Sequence, residues 1–190
     1  FSSLKHIGDS IAGIHYIERG DSLLFWGTGD PTFLHPKLDS RRVYHFLKNT
    51  GKKLFYVTQE TSEPAYRNGW SIEDYQEYYQ PEISAFPIYG NVVRLQANGN
   101  GLVATPNYFA KNIEIRERMH RRFWVSRHLN SNKFEMSNLN VPKNFSTSKP
   151  FIWSDSLVVR LLQDTLQREV GLLKNLERPA IQKLIHDCEN

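Results

Sequence analysis

The chain has 190 residues, 39% of them hydrophobic and 13% aromatic, with a formal net charge of +4. That length supports one domain with an extension but not two full domains, and the apolar content excludes wholesale disorder. The single cysteine, Cys188, excludes an intrachain disulfide and a cysteine cage for zinc, and no apolar run approaches the ~20 residues that a membrane-spanning helix needs.

In chain order, residues 1–10 are expected to form an N-terminal tail. The Phe1-Ser2-Ser3 start resembles the end left when a mitochondrial presequence is cleaved, which makes the mitochondrial matrix the expected location. Ile11 to Ile17 and Ser22 to Trp26 are β-favouring runs around Glu18-Arg19-Gly20-Asp21, the composition of a hairpin turn. Gly27-Thr28-Gly29-Asp30-Pro31 breaks the pattern. It lacks the third glycine of a dinucleotide turn and the Gly-Lys-Ser/Thr of a P-loop, so it reads as a structural turn.

From Leu38 to Asn49 the apolar residues recur at helical spacing, and Leu54 to Val57 follows as a strand. Ser71, with Asp74 three residues on, looks like a capping box for a short helix that Pro81 stops. Asn91 to Gln96 and Leu102 to Thr105 flank an Asn-Gly pair and predict a second hairpin.

Asn107 to Asn130 reads as one long amphipathic helix, with Tyr108, Ile115, Met119 and Phe123 on one side and arginines on the other. The polar stretch 131–153 has the composition of an extended linker or arm. Residues 154–190 are expected as a helical C-terminal extension, a first helix reaching about Glu177 and a second opening at Pro179. The fold class is therefore α+β: a small mixed sheet built from two β-hairpins with packed helices, a core over 11–130, then the arm and the extension.

Arginines outnumber their carboxylate partners along the basic helix, which points to a polyanion. The RNA-contacting set is Lys111, Arg116, Arg118, Arg121, Arg122 and Arg127, joined by Arg41, Arg42, Lys52 and Lys53 on the first helix and its exit. Phe123 and Trp124 stand among them as residues that could stack on unpaired bases. Seven histidines include no i, i+4 pair and no HExxH helix, so no metal or cofactor is expected.

These features point to a non-catalytic structural component of a ribonucleoprotein assembly, in particular a mitochondrial ribosomal protein touching rRNA and, through the arm and terminal helices, neighbouring proteins. One alternative is an accessory subunit of a mitochondrial, respiratory-chain type complex. Another is a small hydrolase-like enzyme working through Asp30, His35 and Glu60, provided the three converge in one cleft.

Overall fold

The computed structural model describes residues 13–38, 41–59, 63–99, 101–117 and 121–174. The tail 1–10, Glu60, Arg118, Met119, Cys188 and the helix expected after Pro179 lie outside the described residues.

The first sheet starts from the hairpin of β1 (Ile14–Arg19) and β2 (Ser22–Gly27), closed by Gly20 and Asp21 between the paired Arg19 and Ser22. Gly20 has φ +55°, the left-handed conformation that a two-residue hairpin turn demands. Helix α1 (Arg42–Asn49) then crosses to β3 (Lys53–Val57), which lies parallel to β2. The helix starts later than the Leu38 expected from its periodicity, because Arg41 sits at φ +61° and ends helical geometry there.

A second sheet is formed by β4 (Val92–Asn98) between β5 (Gly101–Thr105) and β9 (Ser146–Pro150), all antiparallel. A third places β8 (Phe134–Ser137) between β6 (Ile113–Arg116), which is parallel to it, and β7 (Val125–Arg127), which is antiparallel. Helix α2 (Asp155–Leu166) follows, and β10 (Val170–Leu173) completes the first sheet in the order β1-β2-β3-β10. The α+β class is as expected, with three small sheets in place of one.

The long basic helix is not formed. Residues 107–112 make a 3₁₀ turn, Ile113–Arg116 enters a strand, and Val125 and Arg127 alternate inward on another. The physical reason is that Ile113, Ile115 and Val125 fit a pleated surface better than a helix, and pairing with the fully buried β8 fixes that choice. The stretch expected as an arm contributes β8 and β9. Its scattered apolar residues Phe134, Met136 and Val141 are buried in the main core beside Phe109 and Phe151.

The helix expected to reach Glu177 stops at Leu166, where Gln167 turns left-handed at φ +51°. Its stripe is covered by its own chain: Leu157, Val158, Val159, Leu161, Leu162 and Leu166 are all buried. Each such burial contributes about 1.5–3 kcal/mol of gross transfer free energy, which ties the helix to the sheet. Phe86 organises the centre of the core, stacked on Phe33 at 5.3 Å and on Tyr56 at 5.8 Å.

Candidate functional site

The outer face of the second sheet is polar. Val93 and Leu95 of β4 point into the core, so Val92, Arg94 and Gln96 point the other way. In register beside Arg94 stand Thr105 of β5 and Ser148 of β9. These side chains floor a cleft of about 440 Å³, walled by Leu34, His35 and Pro36, by Arg41 at the start of α1, by Tyr89, and by Thr165 of α2. The volume falls in the range of roughly 300–1,000 Å³ that ligand pockets occupy.

The walls are held in uncommon backbone conformations. Leu34, Arg41 and Tyr89 have φ of 58°, 61° and 56°, so three of the five left-handed non-glycine residues described line this one cleft. Such conformations cost about 1–3 kcal/mol each and persist where the surroundings impose them. Here the imposing contacts are visible: the Tyr89 amide donates to the Phe33 carbonyl at 3.1 Å, and the Tyr89 hydroxyl is 2.8 Å from Thr165 Oγ1. Burial pushes the Tyr89 phenol up, the Thr165 hydrogen bond offsetting part of that shift. The Lys37 amide donates to His35 Nδ1 at 3.3 Å, which turns Nε2 into the donor of the neutral ring. Gly90 packs against that ring, where a Cβ would stand 3.1 Å from His35 Cδ2.

A larger cavity of about 510 Å³ lies between the end of α1 and β10. Its cations are already engaged: Arg168 donates to the carbonyls of Leu47, Lys48, Thr50 and Lys52, while Lys52 pairs with Glu18 at 3.1 Å and Lys53 with Asp21 at 2.7 Å. The hydrogen bond from Lys53 holds the Asp21 carboxyl below its usual value and raises the Lys53 ammonium.

The described residues expected at an RNA surface stand in different local settings. Lys111 sits 4.5 Å over the Tyr108 ring. Arg116 is bound between Glu135, 2.9 Å away, and Glu114 at 3.1 Å. Arg127 is 2% exposed and donates to the carbonyls of His128, Leu129, Ser131 and Tyr75. Arg41 lies 5.4 Å from the Tyr44 ring, and Arg42, Arg121 and Arg122 are exposed. Phe123 packs edge-on against Phe145 at 4.7 Å, and Trp124 is half-buried with its amide donating to Ser137 Oγ.

Of the alternative trio, Asp30 and His35 fall within the described residues and Glu60 outside them. Asp30 spends both oxygens on Thr32, accepting from its amide at 2.9 Å and its hydroxyl at 3.0 Å, and only His35 lines the cleft. No group of three or more histidine, cysteine or carboxylate residues suited to a metal is present among the described residues. Sequence reasoning missed Arg94, Tyr89 and Ser148. The alternation Val92-Val93-Arg94-Leu95-Gln96 was the signal that could have placed Arg94 on an outer face.

No protein-family model matches the chain, and no curated protein does. Among solved structures, the chain is similar to penicillin-binding protein 4 (dacB) from Haemophilus influenzae, with a TM-score of 0.55 and 18% identity. The match covers 82% of this chain and 39% of that one, so the chain spans well under half of its structural relative. The shared fold overturns the expectation of a non-catalytic ribosomal component, along with its rRNA-binding and non-enzymatic character. The basic helix on which that expectation rested is replaced, among the described residues, by a 3₁₀ turn and two strands.

Proposed function

We propose that the chain works as part of a penicillin-binding-protein-type hydrolase. The observation that carries this is the fold likeness to penicillin-binding protein 4 over 82% of the chain. Penicillin-binding proteins use a serine nucleophile within an S-x-x-K sequence, accompanied by S-D-N and K-T-G.

In this chain the S-x-x-K spacing occurs twice, at Ser2 to Lys5 outside the described residues and at Ser146 to Lys149. The second lies on β9, where residues three apart face opposite sides of the sheet, so Lys149 is turned away from Ser146. S-D-N and K-T-G do not occur in the 190 residues. The acylating serine is therefore assigned to a part of the hydrolase other than residues 13–174, and these residues to its scaffold.

Fluorescent-penicillin labelling tests this. Antibodies raised against the 190-residue chain identify the native protein on a denaturing gel, and the proposal expects that band to carry the label. A band recognised by the antibodies but left unlabelled, in an extract whose other penicillin-binding proteins label normally, would overturn it.

A further inference from the structure

Arg94 is half-buried on the floor of the 440 Å³ cleft and has no hydrogen bond or ion pair among the described residues. Its guanidinium offers five N–H donors to the cleft, none of them engaged by a side chain or carbonyl of the described residues. Its cross-strand neighbours Thr105 and Ser148 carry hydroxyls, and His35 on the opposite wall presents an Nε2 donor. Arg41 stands at the rim, and no carboxylate is found among the described residues that line the cleft. Donors and positive charge converge on a space that Leu34, Pro36 and Val92 make apolar on one side.

We propose that this cleft binds a small molecule carrying an oxyanion, carboxylate or phosphate, which Arg94 grips in forked fashion with Thr105, Ser148 and His35 as further donors. A planar guanidinium matches two oxygens of such a group at once. The apolar side takes the body of the ligand. The inference is independent of the hydrolase assignment, since it rests on the cleft's own side chains.

The test is a nuclear magnetic resonance titration of the full 190-residue chain with inorganic phosphate and, separately, with citrate, at constant ionic strength. Saturable shifts are expected at the Arg94 side-chain Nε–H and at the amides of Thr105 and Ser148. Saturation by citrate alone assigns a carboxylate ligand, and saturation by phosphate alone assigns a phosphate. Arg94→Gln weakens binding by about tenfold or more, the worth of a charge-assisted hydrogen bond. Arg67→Gln, which removes only a surface pair with Glu63, leaves it unchanged. Absence of saturation with either anion, or equal affinity in folded Arg94→Gln, would overturn the proposal. Should Arg94→Gln not fold, Gln96→Glu decides, because a carboxylate beside Arg94 abolishes binding if the cleft is the site, and undiminished binding would rule it out.

Discussion

Arg127 and Tyr75 hold one another by a reciprocal bond: Arg127 Nη2 donates to the Tyr75 carbonyl at 3.0 Å, and the Tyr75 hydroxyl donates to the Arg127 carbonyl at 2.9 Å. The guanidinium also lies 5.1 Å from the Tyr75 ring centroid. Its Nη1 also donates to three more carbonyls, of His128, Leu129 and Ser131. An arginine that looks from the sequence like an RNA contact is thus the clamp joining the irregular segment around Tyr75 to the third sheet. Burial lowers its guanidinium pKa, with the nearby Glu82 carboxylate opposing that shift.

Arg127→Ala therefore empties a buried position and leaves four backbone carbonyls without this donor, and is expected to cost about 3 kcal/mol. In urea unfolding the midpoint falls while the slope stays constant. A loss below about 0.5 kcal/mol, the level of an ordinary surface substitution, would contradict the clamp.

Asn91 separates two contributions at one position. Its side chain donates to the Glu82 carbonyl and to Ser84 Oγ and accepts from the Ile88 amide, while its backbone has φ +54°. Asn91→Gly keeps the backbone at ease and loses only the hydrogen bonds. Asn91→Ala loses both, so it is expected to be less stable than the glycine variant by about 1 kcal/mol in thermal or urea unfolding.

Gly27 ends β2 against the segment that carries Phe86. A Cβ there would stand 2.3 Å from the Ala85 carbonyl oxygen and 2.7 Å from Phe86 Cα, both backbone atoms that cannot swing aside. Gly27→Ala is expected to destabilise by about 3 kcal/mol, at the upper end of overpacking penalties, and to disturb the Phe86 ring stack. Gly51, with open space around its Cβ direction, should accept alanine with little change in the melting curve.

Asp155 gives a pH dependence with a defined sign. Desolvation by burial raises its folded-state pKa above the ordinary 3.8, with the nearby Tyr56 hydroxyl and Lys174 ammonium opposing. Its protonated form is favoured by folding, so the contribution is fully present below the unfolded value and is lost as pH rises through the folded one. Asp155→Asn removes that slope. Its stability relative to the parent should increase from acidic to neutral pH in denaturant titrations, and a flat difference would contradict the assigned burial.

Much of the first half of the fold was legible because its signals are local. Gly20 and the Asn98-Gly99 pair mark turns that the flanking alternation turns into hairpins, and β3 is a compact apolar run. From Asn107 onward the outcome depends on pairing across the chain: Ile113 meets Phe134, and Val125 meets Met136. No spacing within residues 107–130 encodes those partners, so helical periodicity prevailed in the sequence but not in the fold. Of the candidate cleft only His35 and Arg41 were singled out beforehand. Arg94 became meaningful when β5 and β9 set Thr105 and Ser148 beside it.

The proposal that the chain is part of a penicillin-binding-protein-type hydrolase places the acylating serine outside residues 13–174. Intact-mass and peptide mass spectrometry of the native protein after exposure to penicillin tests it most directly. The account predicts one penicilloyl adduct per molecule, on a peptide outside residues 13–174. An unmodified protein, or an adduct on Ser146 or Ser148, would contradict it.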